Sequence, residues 1–198
     1  MNISGAEGPW LVVGLGNPGP EYAATRHNVG AMVADVLAQR VVSRFTANRR
    51  CRSDVVESRL SAQRMILAKP NSFMNESGGP VAALVDYFGV EHERLIVLHD
   101  ELDLPVGATR VKLGGGDNGH NGLKSIRKSL GGGDWHRVRI GIGRPPGRQD
   151  PADFVLRAFG TSERVDLPLL LERSADAVES LLEVGLERTQ ERFNSSAD

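Results

Sequence analysis

The stretch Trp10-Leu-Val-Val-Gly14-Leu-Gly16-Asn17-Pro-Gly19-Pro20, continuing to Arg26-His27-Asn28, runs from a hydrophobic strand through a glycine turn into the start of a helix. Gly14, Gly16 and Gly19 match the GxGxxG spacing of a dinucleotide-binding turn. Pro18 and Pro20 remove two backbone donors that an anion cradle would need. No second strand ending in a ribose-binding carboxylate follows, and Asp35, at about the right distance, falls inside a helical pattern. The nucleotide match therefore reads as a decoy. The turn instead offers a side-chain amide, Asn17, near an imidazole, His27, a pairing suited to hydrolysis.

Strand and helix signals alternate outward from this turn. Val29, Met32, Val33, Val36 and Leu37 predict a helix over roughly residues 28–41, with His27 at its start. Residues 55–60 and 64–68 read as strands, the second running into a loop at Lys69-Pro-Asn-Ser-Phe-Met-Asn75. A helix is predicted over 79–88. The buried strand Arg94-Leu-Ile-Val-Leu-His99 delivers Asp100 at its end. A strand over 108–113 precedes the glycine-rich loop Gly114-Gly-Gly-Asp-Asn-Gly-His120-Asn-Gly122 and the helix Leu123-Lys-Ser-Ile-Arg-Lys-Ser-Leu130. Residues 137–143 alternate as a strand, 144–151 form a turn-rich loop, and the last fifty residues read as helical, with Leu171, Ala175, Val178 and Leu182 on one stripe. The alternation predicts a single α/β domain with a twisted, mixed, largely parallel sheet flanked by helices and a C-terminal helix.

With 198 residues and 40% hydrophobic side chains, the chain suits one compact domain spanning 1–198, residues 1–9 being a mobile extension. No apolar run reaches membrane-spanning length and no signal-peptide pattern opens the chain, so a soluble, cytoplasmic protein is expected. The single cysteine, Cys51, excludes an intramolecular disulfide and reads as non-catalytic. The net charge of −1 conceals an asymmetry: residues 104–150 carry nine Lys/Arg against three Asp/Glu, residues 151–198 five against ten. That permits a basic face for a polyanion.

Four loops bring unusual polar groups: Asn17 with His27, Asn75, His99 with Asp100, and His120 with Asn121. In α/β folds, sites form at the carboxyl ends of strands. An imidazole can take a proton from water, a carboxylate can fix its tautomer, and asparagine amides can hold the water or an oxyanion. Asn28 and Asn121 could equally cap their helices. A metal held by His27, His99, Asp100 and His120 is a second reading, but no pair of these histidines has a familiar ligand spacing. No GxSxG elbow is present, and Ser125-Ile-Arg-Lys128 fits SxxK only by chance. Arg110 and Lys112 share one face of their strand, and Lys124, Arg127 and Lys128 lie on the following helix, as phosphate anchors or as an ordinary solvated face. Tyr22 and Phe73 could stack on a base, though Phe73 also fits a core.

Taken in order, GLGNPG, Tyr22-Ala-Ala-Thr-Arg-His-Asn-Val-Gly30, KPNSFMNESG, LHDELDLPVG, KLGGGDNGHNGLKSI and RIGIGRP closely resemble the bacterial-type peptidyl-tRNA hydrolase family from about Trp10 to Phe159. The resemblance implies a monomeric α/β enzyme, without metal or cofactor, that cleaves the ester between a peptide and the 3′ ribose of tRNA and so recycles tRNA after ribosome stalling. It implies His27 as the general base, Asp100 as its orienting carboxylate and Asn17 as the amide that reads the peptide. Tyr22, Phe73, Asn75 and Asn121 would contact the tRNA terminus or position the ester, with His120 beside them. Arg110, Lys112 and Arg139 would contact tRNA phosphate. Asp117-Asn118 departs from the small or neutral residues of many relatives and sets a carboxylate near the phosphate path. The arginine-rich segment 42–52 matches no motif. A dinucleotide-dependent oxidoreductase and a non-catalytic RNA-binding module are the competing readings.

Overall fold

The computed structural model describes residues 8–195. Of the expected mobile extension, only Gly8 and Pro9 fall within the described residues. Seven strands among these residues form one sheet: β1 (Trp10–Gly14), β2 (Thr46–Asn48), β3 (Ser53–Leu60), β4 (Gln63–Pro70), β5 (Leu95–Glu101), β6 (Thr109–Leu113) and β7 (His136–Gly141). Their order is β2-β3-β4-β1-β5-β7-β6. The central strands β4, β1, β5 and β7 are parallel, while β3 runs antiparallel to β4, β2 to β3 and β6 to β7. The helices are α1 (Val29–Arg40), α2 (Gly78–Phe88), α3 (Asn121–Leu130), α4 (Pro151–Val155) and α5 (Thr161–Phe193). The result is a single α/β domain with a mixed, largely parallel sheet, as the alternation of patterns predicts.

Alternation along the buried strands divides the core into two layers. On β1, Val12 faces α1 and α5, packing with Val33, Leu37 and Val178. Leu11 and Val13 face α2 and α3, packing with Val81, Leu84, Leu123 and Ile126. Each such fully buried aliphatic side chain contributes about 1.5–3 kcal/mol relative to exposure. The stripe Ala175, Val178 and Leu182 predicted on the last helix is buried in the first layer.

The opening glycines serve packing. A β-carbon at Gly14 would stand 2.5 Å from the Gly30 carbonyl oxygen, and one at Gly30 would stand 2.2 Å from that of Leu98. Glycine at both positions lets α1 lie directly on β1 and β5. Asp35, the residue at ribose-carboxylate distance, sits exposed on α1 and pairs with Lys69 at 2.6 Å.

One short strand is absent from the sequence reading: β2 lies inside the arginine-rich segment, whereas α4 and α5 divide the C-terminal stretch that reads as helical. β6 is antiparallel, so Leu113 ends level with His136 and Ile96, four strand positions before Asp100. That is roughly 13 Å at strand rise. The glycine-rich loop must therefore carry the chain back along the sheet before His120 can meet Asp100.

Candidate active site

Three parallel strands point their carboxyl ends at one region: β1 leads to Asn17, β4 to the turn bearing Asn75, and β5 ends in His99, Asp100 and Glu101. His27 enters from a 3₁₀ turn, Arg26–Asn28, that precedes α1. Arg26 anchors that turn. Its guanidinium donates to the carbonyls of Ala158 at 2.9 Å and Arg157 at 3.3 Å and pairs with Glu163 at 2.6 Å. It also lies over the Phe154 ring at 4.2 Å. The imidazole is thereby fixed from the neighbouring peptide unit.

His27 Nδ1 lies 2.9 and 3.0 Å from the two oxygens of Asp100, so it is the protonated nitrogen and donates to the carboxylate. Nε2 makes no hydrogen bond among the described residues and keeps its lone pair. The second imidazole, His120, contacts the same carboxylate through Nε2 at 2.8 Å. Its Nδ1 accepts from the backbone N–H groups of Gly122 at 3.1 Å and Leu123 at 3.3 Å, capping α3. That cap fixes the His120 proton on Nε2 and commits both nitrogens internally, leaving no free polar ring atom for RNA. His120 thus spends both ring nitrogens on Asp100 and the start of α3. It also takes the N-cap place considered for Asn121.

Burial alone pushes the Asp100 carboxyl up, but the interactions and hydrogen bonds with His120 and His27 outweigh it and hold the group well below the ordinary carboxylate range. His99 behaves oppositely. Burial, with His120 nearby, lowers it to about 3, so it stays neutral while its Nδ1 donates to the Asp100 carbonyl at 2.8 Å. His27, Asp100 and His120 are also the group whose donor atoms lie close enough for a metal, within 4.8 Å of one another. The helix cap on His120 argues against ligation, because Nε2 would have to give up its proton while Nδ1 still accepts two amide hydrogens.

The asparagines divide into supports and exposed amides. Asn28 does not cap α1: its amide donates to the Asn17 carbonyl at 2.9 Å and accepts from the Asn17 N–H at 2.8 Å, clamping the turn. Asn17 Oδ1 accepts from the Met74 N–H at 2.7 Å, which leaves Nδ2 without a partner among the described residues. That bond sets Asn17 against the turn carrying Asn75. Asn75 and Asn121 are exposed and line a common groove. Asn121 directly follows His120, the N-cap of α3, and Asn75 directly follows Met74, to which Asn17 is bonded. Phe73 is 53% exposed, outside the core, and meets Tyr22 edge to face with ring centroids 6.3 Å apart.

The basic residues separate. Lys112 and Arg139 share a cavity of about 320 Å³ with Glu101, Asp103, Asn118 and Arg137. Arg110 lines a different depression, against α5. Arg139 is ion-paired with Glu101 at 3.1 Å, and burial together with Arg139 and Arg137 lowers the Lys112 ammonium. Arg137 is missed by sequence reasoning. Its guanidinium holds the carbonyls of Gly115 and Gly116, fixing the crossing of the glycine-rich loop. Asn118 then donates to Glu101 at 2.9 Å and Asp103 at 2.7 Å, while Asp117 accepts from the Gly119 N–H at 3.2 Å and so serves the turn. The acidic Asp100-Glu101-Leu-Asp103 run was the available signal for these partners.

The sequence profile of the family described as Peptidyl-tRNA hydrolase matches residues 11–198. A peptidyl-tRNA hydrolase of Frankia casuarinae is 62% identical over 189 residues, covering 96% of this chain and 95% of that one. One from Streptomyces coelicolor is 59% identical over 195 residues, with 96% and 97% covered. The crystal structure of peptidyl-tRNA hydrolase from Acinetobacter baumannii superposes with a TM-score of 0.88 at 31% identity, covering 94% of this chain and 95% of that one.

Proposed function

Because the chain belongs to the peptidyl-tRNA hydrolase family, it is a hydrolase of peptidyl-tRNA, and we propose that its reaction is attack by a His27-activated water on the ester to the 3′ ribose. The observation that carries this reading is the His27–Asp100 pair: Nδ1–H is held by the carboxylate and Nε2 makes no hydrogen bond among the described residues. Nε2 takes a proton as water oxygen bonds to the ester carbonyl carbon. Asp100 balances the imidazolium that forms. The tetrahedral oxyanion accepts hydrogen bonds from side-chain amides, with Asn17 Nδ2 the donor left over once Oδ1 is spent on Met74. Collapse breaks the bond to the ribose oxygen, which takes the proton back from His27, releasing free peptide and tRNA.

Asn75 and Asn121 position the ester, and the Tyr22–Phe73 edge offers a surface for the terminal base. Lys112 and Arg139, clustered with Arg137, meet a tRNA phosphate, and Arg110 meets another part of the RNA from its own depression. No metal or cofactor enters the mechanism. The enzyme acts as a monomer in the cytoplasm; no helix among the described residues is long and apolar enough to cross a membrane. The decisive assay is release of an N-blocked amino acid from tRNA by the chain and by His27→Ala. Turnover by the first and its loss in the second is the expected result. Hydrolysis indifferent to the substitution would overturn the mechanism, and tight tRNA binding without hydrolysis would make the chain a binding module.

A further inference from the structure

We propose that the arginine turn at residues 49–52 and one face of α3 form a track for the phosphodiester backbone of the substrate RNA as it leaves the reacting ester. This deepens the function proposed above and rests on it. A groove of about 570 Å³ runs between the 74–76 turn, α2 and α3, and Asn75 and Asn121 stand at one end of it. Its floor is a close helix contact: the Gly78 N–H donates to Ser125 Oγ at 2.9 Å, and a β-carbon at Gly78 would stand 2.2 Å from the Ser125 carbonyl oxygen. Lys124 and Lys128, one helical turn apart and both exposed, line the α3 wall.

The opposite wall carries Arg52. A β-carbon on Gly79 would stand 2.6 Å from its Nη2, which places the guanidinium over the α2 side of the groove. Two tethers hold its turn: the Asn71 N–H donates to the Arg52 carbonyl at 2.8 Å, and the Cys51 N–H to Asn48 Oδ1 at 3.1 Å. Arg52, Lys124 and Lys128 make no side-chain hydrogen bond or ion pair among the described residues, and Glu76 is the one carboxylate on the lining. The lining also has no apolar or aromatic side chain. Bases seek aromatic faces, and peptide side chains of varied sequence seek apolar ones. Three unpaired cations with amides and hydroxyls between them suit a chain whose repeating feature is its phosphate charge. The groove is distinct from the cavity of Lys112, Arg137 and Arg139 and from the depression of Arg110, so the RNA is gripped at three places.

The test compares an N-acetyl-aminoacyl-tRNA with the same N-acetyl-aminoacyl group esterified to adenosine alone, using the full chain and its Arg52→Gln, Lys124→Gln and combined Arg52→Gln/Lys124→Gln/Lys128→Gln variants. In the combined variant, the ratio of kcat/KM on the tRNA to that on the adenosine ester falls at least about tenfold, mainly through KM, and the slope of log(1/KM) against log salt loses about two. Arg52→Lys restores most of the ratio, since the charge rather than the fork carries the contact. An unchanged ratio and slope overturn the track. So does an equal loss on both substrates, which would assign these side chains to the site's fold, or a loss that scales with peptide length, which would give the groove to the peptide. Failure of the parent chain to hydrolyse either substrate would instead defeat the function on which this inference rests.

Discussion

Replacing Asp100 by asparagine keeps the shape of the buried network and changes its chemistry. Oδ1 of Asp100 receives His27 Nδ1 at 2.9 Å and His120 Nε2 at 2.8 Å, while Oδ2 lies 3.0 Å from the same His27 nitrogen. His120 cannot reverse its tautomer, because Nδ1 is held by two helix amides. The asparagine oxygen must therefore stay at the Oδ1 place, and its NH₂ group then faces His27 Nδ1. The NH₂ group at the Oδ2 place then competes with the remaining Oδ1 acceptor for His27 Nδ1, so the tautomer with its proton on Nε2, unable to act as base, becomes populated. The imidazolium formed during attack also loses its counter-charge. Together these lower kcat roughly 10³–10⁴-fold, the scale for a buried carboxylate beside a catalytic imidazole, or about 4–5.5 kcal/mol of barrier. Initial rates of N-acetyl-aminoacyl release from saturating tRNA measure kcat, and ¹⁵N NMR of the imidazoles reports the tautomer. KM should change less than about threefold, because the substitution acts on the transition state. A kcat within tenfold of the parent would refute the reasoning. So would a lost kcat with His27 still protonated only on Nδ1 and KM raised in proportion.

Other substitutions probe the supports of the site. Asn17→Asp keeps an oxygen for the Met74 N–H but loses the free donor, so kcat/KM falls about 10²-fold with the urea midpoint unchanged, whereas Asn17→Ala also lowers the midpoint; equal stability losses in the two would contradict the division of labour. Gly30→Ala forces a β-carbon to within 2.2 Å of the Leu98 carbonyl and costs about 3 kcal/mol in urea unfolding, and a loss under about 1 kcal/mol would show that α1 can ride higher on the sheet. His99, lowered to about 3 by burial and His120, contributes stability that is complete above the unfolded value of about 6.5 and is lost as pH falls toward 3, since the unfolded chain protonates first. His99→Phe should flatten that acid slope by up to about 1.4 kcal/mol per pH unit, and an unaltered slope would place the acid sensitivity elsewhere.

How much of this was legible in the sequence depends on which residues carry local signals. β1 and β5 announce themselves because buried parallel strands are continuous aliphatic runs, and α1 because Val29, Val33 and Leu37 keep helical spacing. The His27–Asp100 pair follows from motif order. β2 was invisible: Thr46 and Ala47 are exposed, so no alternation marks a strand that exists through its ladder with β3. The direction of β6 was equally hidden, because a strand's pattern reads the same either way and only pairing with β7 decides it. The caps were exchanged for a related reason. Asn28 and Asn121 have the right chemistry for N-caps, but tertiary contacts gave Asn28 to Asn17, and the loop crossing delivered His120 to the start of α3. Arg26 and Arg137 look like ordinary surface cations until aromatic rings and loop carbonyls surround them.

The shared carboxylate explains why the glycine-rich loop is built as it is. A buried Asp100 needs donors to remain ionised, and His27 alone cannot be the permanent one, since its charge changes during the reaction. His120 supplies a fixed N–H because a second proton on its Nδ1 would point at the amides of Gly122 and Leu123 and break the cap. The proton taken from water therefore has one place to go, His27, while Asp100 keeps a second, unvarying hydrogen bond at 2.8 Å throughout. The start of α3 must then be held at the level of Asp100, although β6 ends about four strand positions below it. Arg137, buried across the loop's path and gripping two of its carbonyls, and Asn118, tied to Glu101 and Asp103, hold it there. On this view the cations and carboxylates of the neighbouring cavity set the tautomer of a helix cap, and through it the charge state of the base's partner, before any of them touches RNA.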